Sequence, residues 1–365
     1  MNEKKSKKIS PYLIVFGILV VIIIAAALST TLFNTASQQS PSGTANLSNY
    51  GPAPNIVGIS GWINSQPLNI SQLKGKVVLV DFWTYSCINC IRSIPHLNAW
   101  QSEYGGSNGL VIIGVSTPEF QFEHNYSNVY AAVKKFNITY PVALDNNYGT
   151  WDAYHNEYWP ADYLVDANGT IRYEAFGEGD YNQTENAIRI LLAQAGYKVP
   201  TASTSVPLGV NFSGIGSPEI YFGYATARQP LGGGESFAPN QTKTYLPQNI
   251  TQQNAAYLFG SWYNAPDGMI SVNNSRIYLV YYAKNVNIVA SGVNGTNSTI
   301  TLKVNGMNLN QSYLGADDMI SNGIATATIG PSRLYNIVSA PSYSGWHELE
   351  IDASPGFKIY TFTFG

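Results

Sequence analysis

The chain has 365 residues and a formal net charge of −3 at pH 7, and only 11% of its residues are charged. This balance differs from the strongly basic surface of nucleic-acid-binding proteins, so we expect no nucleic-acid partner. The length is sufficient for two domains, each with its own hydrophobic core.

The first 33 residues have the pattern of a membrane anchor. Residues 1–10, the predicted cytoplasmic segment, contain four lysines, and residues 11–33 contain no charged side chain. An uncharged stretch of this length can span a bilayer, and its basic flank should remain in the cytoplasm. We therefore predict a single-pass transmembrane signal-anchor in the cell membrane, with the bulk of the chain extracytoplasmic. A cleaved signal peptide is the alternative, because the alanines at 25–27 and 36 are small enough for a cleavage site.

The rest of the chain divides into four predicted parts. Residues 34–54 are rich in Ser, Thr, Asn and Gln and are predicted to be a flexible tether. Residues 55–196 alternate between strands and helices, residues 197–217 are a Pro- and Gly-containing linker, and residues 218–365 are rich in β-formers. This order predicts an α/β domain followed by an all-β domain.

The α/β domain is predicted to contain five strands and three helices. The strands are at 77–82, 110–115, 142–144, 162–165 and 171–176, and the helices are at 88–104, 126–136 and 185–195. Thr184 or Asn182 is the predicted N-cap of the last helix, and Gly196 should end it. Asn168-Gly169 lies between the last two strands and is a strong hairpin signal.

The two cysteines of the chain form the motif Cys87-Ile88-Asn89-Cys90, where the first strand gives way to a helix. The positive end of the helix stabilises a thiolate on Cys87, and Cys90 lies one turn later, close enough to form a disulfide. This arrangement predicts an attacking Cys87 and a resolving Cys90. A structural disulfide is the alternative. A zinc site would need a second pair of ligating cysteines, so we expect no metal.

Asp81 lies in the middle of the apolar strand that leads to the motif. Burial of a carboxylate is unfavourable, so its pKa should be raised and it should exchange protons near neutral pH. This position favours a role as base for Cys90. The alternative is a hydrogen-bonded carboxylate with a structural role only.

The segment between about residues 55 and 196 resembles the thioredoxin superfamily in its TlpA-like and peroxiredoxin-like branch. The likeness rests on the two cysteines, Asp81 and Pro160, and on Ala53-Pro54 followed by Gly75-Lys76 before the strand. The resemblance implies a thioredoxin-like fold, with Cys87 as nucleophile, Cys90 as resolving thiol and Asp81 as the buried acid. It also implies that Pro160 follows a cis peptide bond and faces the Cys87–Cys90 disulfide. That redox-active disulfide would serve in place of a cofactor, and the substrates would be protein thiols and disulfides.

The chain also resembles the C-terminal region of DipZ-type proteins of cytochrome c biogenesis. The likeness is seen in the stretches DFWTYSCINC, LDNNYGTW, YWPADYLVD and FGEGDYN and in the segment 218–365. Members of that family carry a multi-helix, electron-importing membrane domain ahead of the thioredoxin part. The residues before 55 have no room for such a domain. We therefore expect an unidentified membrane protein to be the electron donor.

Three residues beside the motif are predicted to contact substrate. Tyr85 and Ser86 precede Cys87, and Trp159 precedes Pro160. Groups beside a disulfide can form a docking surface for an extended substrate chain. Packing in the core or at its rim is the alternative for the aromatic side chains.

The C-terminal part is predicted to be a β-sandwich or jelly roll, because short strands at 276–282, 299–304, 347–351 and 357–364 are separated by turns. Val304-Asn305-Gly306-Met307, at the end of the second of these strands, is a hairpin signal. The segment resembles a carbohydrate-binding module, which implies surface glycans as partners. Trp262, Tyr263, Tyr343 and Trp346 are the aromatic side chains predicted to stack on a glycan, with core packing as the alternative.

Taken together, these patterns predict a membrane-anchored, extracytoplasmic thiol–disulfide oxidoreductase. The competing hypothesis is a glycan-binding or adhesion protein at the cell surface, with a vestigial redox domain.

Overall fold

The computed structural model of the chain describes residues 47–204, 206–207, 214–248, 250–342 and 345–365. The predicted anchor, the cytoplasmic segment before it and most of the tether lie outside these ranges. Among the helices of the described ranges, none combines the length and apolar character that crossing a bilayer requires.

A six-stranded sheet forms the first half of the described chain. Its strands are β1 (Gly61–Ile63), β2 (Val77–Trp83), β3 (Leu110–Ser116), β4 (Val142–Leu144), β5 (Ala161–Val165) and β6 (Ile171–Phe176). Their spatial order is β1-β4-β3-β2-β5-β6. Strands β2, β3 and β4 are parallel, whereas β5 pairs antiparallel with β2 and β6 pairs antiparallel with β5. Every residue of β2 is buried, as expected for a central strand with both faces covered.

Four helices accompany this sheet in the described residues. They are α1 (Ile88–Tyr104), α2 (Tyr126–Lys135), α3 (Gly149–Ala153) and α4 (Tyr181–Gln194). Helices α1, α2 and α4 contribute to a core on one face of the sheet, and α3 contributes to a smaller core on the other face. The predicted α/β class is confirmed. Helix α1 and strands β4 and β6 lie at their predicted bounds, and most of the other predicted elements lie within one or two residues of theirs.

Helix α4 begins four residues earlier than predicted, so the caps proposed at Thr184 and Asn182 are wrong. Its N-cap position is Asp180, which has φ 51° and no side-chain capping bond. The ring of Tyr181 stacks on His96 of α1 with centroids 3.6 Å apart. This tertiary contact holds the first turn of α4 where the local sequence offers no cap.

The C-terminal half is all-β, as predicted. Its strands in the described residues are β7 (Ile220–Tyr221), β8 (Thr242–Tyr245), β9 (Ala256–Ala265), β10 (Gly268–Ser271), β11 (Ser275–Tyr281), β12 (Asn285–Gly292), β13 (Ser298–Val304), β14 (Met307–Asn308), β15 (Asp318–Ser321), β16 (Ile324–Ile329), β17 (Arg333–Ser339), β18 (His347–Ala353) and β19 (Phe357–Phe364). They form one continuous 13-stranded sheet that folds over a common core. The predicted hairpin at Asn305-Gly306 connects β13 to β14.

Strand β9 belongs to both layers of this folded sheet. Its first half pairs with β11, and its second half pairs with β8 and β10. Gly260, at the point of change, has φ 87°, a left-handed value that side chains rarely adopt. The glycine therefore lets a single strand pass from one layer to the other.

An aromatic contact joins the two halves of the described chain. Phe120 and Phe122 follow β3 and lie against Tyr360 of β19, with ring centroids 5.2 and 5.0 Å away. Phe120 also packs near Tyr221. Since Phe122 meets Tyr85 edge-on at 5.9 Å, this interface reaches the segment that carries the two cysteines.

Candidate active site

Cys87 lies at the start of α1, as its position in the sequence predicts. It is the N-cap residue, and the backbone N–H of Cys90 donates to its Sγ at 3.2 Å. Both thiols are free in this structure. Cys87 is 8% exposed and Cys90 only 1% exposed. The outer thiol is thus held at the positive end of a helix, and its partner is held one turn deeper.

The buried position of Cys90 keeps this thiol protonated. Burial raises the pKa of Cys90, and the hydrogen bond and charge of Cys87 raise it further. A backbone hydrogen bond from Thr84 acts in the opposite direction, and the charge of Asp81 adds to the increase. An attack by Cys90 therefore requires a group that accepts its proton.

Asp81 is fully inside the domain, in the middle of β2. Burial raises the pKa of Asp81, and the neighbouring carboxylate of Asp162 raises it further. The Oδ2 atom of Asp81 has no hydrogen-bond partner among the described residues. The alternative of a carboxylate satisfied by hydrogen bonds does not fit this oxygen.

Asp162 is a residue of this site that the sequence analysis missed. It lies directly opposite Asp81 in the antiparallel pair of β2 and β5. Burial raises the pKa of Asp162 to about 7. The sequence does contain a signal for Asp162, because it is an acidic residue within an apolar strand. The same signal identified Asp81. Asp162 also follows Pro160 by only two residues.

The Trp159–Pro160 peptide bond is cis, as the resemblance implied. The next residue, Ala161, pairs with Phe82 near the end of β2, which places this turn beside the segment leading to Cys87. The ring of Trp159 lies 4.2 Å from that of Trp151, centroid to centroid. Its Nε1 donates to the carbonyl of Thr117 at 3.1 Å. Trp159 is only partly buried, and its role as a substrate contact stays a prediction.

Ser86 is placed differently from the prediction of a substrate contact. Its side chain is buried, and Oγ donates to Oε1 of Glu123 at 2.5 Å. The other oxygen of Glu123 accepts the backbone N–H groups of Glu119 and Phe120. The hydroxyl of Ser86 is therefore part of an internal network and is not free for substrate. Tyr85 is also buried.

Glu119 lies at the boundary between the two halves. Burial raises the pKa of Glu119 to about 8, although the Tyr221 hydroxyl donates to its Oε1 at 2.6 Å. Arg228 lies 3.7 Å from the same oxygen. Together with Glu123, this residue links the cysteine segment to the β-rich half.

The described residues contain no group of three or more His, Cys, Asp or Glu side chains arranged to hold a metal ion.

Four aromatic residues are predicted to stack on a glycan. For Trp262 this prediction is wrong. It is fully buried in the core of the β-rich half, and its Nε1 donates to the carbonyl of Phe259 at 3.0 Å. Tyr263 is partly exposed, and Trp346 is 42% exposed beside Tyr282. Tyr343 lies outside the described residues.

The two halves match different family descriptions. Residues 52–174 match the AhpC/TSA family. Residues 217–365 match the family described as a thioredoxin-like C-terminal domain.

Known proteins resemble this chain over different lengths. Protein DipZ of Mycobacterium bovis is 39% identical over 330 residues, which are 88% of this chain and 44% of DipZ. The thiol-disulfide oxidoreductase ResA of Bacillus subtilis is 30% identical over 156 residues, which are 42% of this chain and 79% of ResA. A solved thioredoxin-like protein in the oxidised form is 28% identical with a TM-score of 0.37, covering 40% of this chain and 96% of that protein. The chain thus spans less than half the length of DipZ.

Proposed function

Since the chain belongs to the family of thioredoxin-like thiol–disulfide oxidoreductases, we propose that it exchanges disulfides with protein substrates through Cys87 and Cys90. The observation that carries the proposal is the position of Cys87 at the start of α1, with the Cys90 N–H directed at its sulfur. A sulfur atom in this position lies at the positive end of a helix and is suited to act as a nucleophile.

The first step forms a mixed disulfide. The Cys87 thiolate attacks one sulfur of a substrate disulfide, a new S–S bond joins enzyme and substrate, and the other substrate sulfur leaves as a thiolate. The reverse step transfers a disulfide from the enzyme to a substrate dithiol.

The second step releases the substrate. Cys90 attacks the sulfur of Cys87, the mixed disulfide breaks, and the second substrate sulfur leaves as a thiolate. Asp81 accepts the proton of Cys90. Its side chain is buried on the face of β2 that packs against α1, the helix that carries Cys90.

The setting of this activity is the extracytoplasmic face of the membrane. The uncharged segment at 11–33 after a lysine cluster supports a membrane anchor. The source of electrons is an unidentified membrane protein, in keeping with the electron-importing membrane domain that the resemblance to DipZ-type proteins implies. The substrates are protein thiols and disulfides.

Insulin reduction by the full chain, with dithiothreitol as reductant, tests the proposal. Cys87→Ser should abolish the activity, and Cys90→Ser should retain the attack but accumulate a mixed disulfide visible on a non-reducing gel. If Cys87→Ser reduces insulin as fast as the wild-type chain, the proposal is wrong.

The midpoint potential of the cysteine pair decides the direction of exchange. A value near thioredoxin's, about −270 mV, indicates a reductase, and a value near DsbA's, about −120 mV, indicates an oxidase. A folded protein whose pair equilibrates with neither glutathione nor dithiothreitol would have a structural disulfide only.

A second candidate function, glycan binding, is favoured by an open groove of about 850 Å³ on the β-rich half. Phe259 and Tyr278 provide aromatic faces there, and Arg276 bridges Glu350 and Asp352 at 3.3 and 2.6 Å. Aromatic faces flanked by charged hydrogen-bonding groups are suited to sugars. Tyr278→Ala should weaken retention of the full chain on immobilised polysaccharide, whereas Met307→Ala, at an exposed site elsewhere, should not. No retention on any polysaccharide would exclude this candidate.

A further inference from the structure

We propose that Asp162 completes a buried proton relay that carries the Cys90 proton from Asp81 to solvent. The inference rests on the proposed disulfide exchange, since the relay serves the step in which Cys90 attacks the mixed disulfide. Asp162 does not touch the sulfur atoms; it acts through Asp81.

The register of the sheet places the two carboxylates side by side. Asp81 and Asp162 are directly opposed in the antiparallel pair of β2 and β5, so both side chains leave the same face. Opposed residues have Cβ atoms about 4.5–5.5 Å apart. Leu79 and Trp83, two residues before and after Asp81, share a core cluster with Cys90. Asp81 therefore faces α1 and Cys90, and it has Asp162 beside it.

Each carboxylate has an oxygen that the protein leaves without a partner. Oδ2 of Asp81 and Oδ1 of Asp162 are both buried and accept no hydrogen bond from the described residues. Two carboxylates so close together in a buried site cannot both be ionised at low energy. A single proton held between them satisfies one oxygen of each.

The two members of the pair differ in access to solvent. Asp81 is fully buried, whereas Asp162 keeps partial exposure. Burial raises the pKa of both, to about 7 for Asp162, and the charge of Asp162 raises the pKa of Asp81 further. Near neutral pH the proton therefore remains on Asp81, while Asp162 ionises and exchanges with solvent.

Gly114 of β3 pairs with Asp81, and its lack of a side chain lets Trp83 and Tyr140 approach closely. A Cβ atom at Gly114 would lie 3.0 Å from Nε1 of Trp83 and 3.1 Å from the Tyr140 ring. Trp83 Nε1 and the Tyr140 hydroxyl are themselves buried without a partner in the described residues. The Trp83 Nε1 and Tyr140 hydroxyl groups thus lie beside the position from which Asp81 would transfer its proton.

Other titratable or charged groups surround the pair. They are Cys90 on α1, Tyr140 before β4, Tyr173 on β6, Tyr181 on α4 and, beyond Tyr181, the Arg92–Glu178 ion pair. Burial is the main reason why the pKa of each tyrosine is raised, and the charge of Asp162 contributes to all three. The tyrosines therefore stay protonated, which leaves Asp162 as the acceptor that can ionise near pH 7.

The relayed step balances in protons and electrons. Cys90 forms a bond to Cys87 sulfur, and the mixed disulfide gives its electron pair to the departing substrate thiolate. The proton of Cys90 passes to one oxygen of Asp81, the proton already on Asp81 passes to the Asp162 carboxylate, and Asp162 releases it to water. The enzyme dithiol is oxidised, and the substrate sulfur is reduced.

The reaction of the reduced full chain with 5,5′-dithiobis(2-nitrobenzoate) separates the two thiol steps. Attack by Cys87 releases the first chromophoric thiolate, and attack by Cys90 releases the second. In the wild-type chain the rate of the second phase should rise as the pH passes about 7, where Asp162 ionises. Asp162→Asn should leave the first phase unchanged, remove this rise and slow the second phase about tenfold at neutral pH.

Two further variants complete the design. Asp162→Glu keeps a carboxylate and should restore the pH-dependent rise. Glu174→Gln, on β6, removes a partly buried carboxylate of the same domain and should behave like the wild-type chain in both phases. Near-UV circular dichroism confirms that each variant is folded.

The outcomes separate the relay from the proposed function. A wild-type second phase in folded Asp162→Asn, with the same pH profile, overturns the relay and leaves disulfide exchange standing. A wild-type chain that releases no second thiolate overturns both. Loss of the pH-dependent rise in Asp162→Asn, with its return in Asp162→Glu, supports the relay.

Discussion

Three carboxylates lie in or near the cysteine site, and two different kinds of contact hold them. Glu123 accepts one hydroxyl and two backbone N–H groups, which is a well-satisfied arrangement. Asp81 and Asp162 instead depend on each other. The first arrangement stabilises the fold around the cysteine segment. In the second arrangement, the pair of Asp81 and Asp162 holds a proton near neutral pH.

We predict that the stability of the redox domain falls as the pH rises from about 4 to about 7. The folded state raises the pKa of Asp162 from 3.8 to about 7, so it holds a proton that the unfolded chain has already released. The unfolded state then binds fewer protons, and the free energy of unfolding decreases with pH. Asp81 shifts in the same direction. Urea unfolding followed by tryptophan fluorescence at several pH values measures this slope.

Asp162→Asn should make that profile flatter. Because Asp162 is partly exposed, its contribution to the change should be on the order of 2 kcal/mol. Parallel profiles for the variant and the wild-type chain would show that Asp162 does not hold the proton.

The site residues that the sequence analysis proposes have local signals. Cys87 and Cys90 are identified by their spacing at a strand–helix junction, and Asp81 by its place in an apolar strand. The importance of Asp162 depends on the register between β2 and β5, which are distant in sequence. The side chain of Ser86 points into the domain because its hydroxyl binds Glu123, which lies in the segment after β3. Contacts of this kind have no local pattern.

Among the elements, strand β9 depends on one residue in two ways. Gly260 combines φ 87° with a close neighbour, because a Cβ atom there would lie 3.0 Å from Oγ of Ser275. Regular strands were predictable from alternation of apolar and polar residues. A strand that changes layers was not, since its two halves follow the same alternation.

Gly260→Ala should destabilise the β-rich half by about 1–3 kcal/mol, through backbone strain together with crowding against Ser275. Gly295→Ala is a matched control, because Gly295 has φ 74° but nothing within 4 Å of the added Cβ. Thermal unfolding by circular dichroism compares the two variants. Equal losses of stability would assign the effect to the backbone angle alone.

At the scale of the whole molecule, the aromatic interface connects the two folding units. Phe120, Tyr221, Val289 and Tyr360 form a small core of their own. The family likeness and the α/β plus all-β order were predictable from the sequence. This interface was not, because its aromatic residues could equally have belonged to either core.

Phe120→Ala should cost about 3–5 kcal/mol and weaken the coupling between the halves. Differential scanning calorimetry should then resolve two unfolding transitions that are closer together, or merged, in the wild-type chain. Phe176→Ala removes the same ring from a 50% exposed site in the redox domain and is the control. An unchanged calorimetric trace for Phe120→Ala would mean that the interface contributes little.

The position of β19 has a consequence for synthesis of the chain. This strand is the last one described, yet it lies between β10 and β12 in the middle of the sheet. All six strands of the first sheet are complete at residue 176. During translation the redox domain can therefore fold before synthesis of the β-rich half is complete. That half cannot complete its core until residue 364 has left the ribosome. The contact of Tyr360 with Phe120 and Phe122, which joins the two halves, therefore forms last.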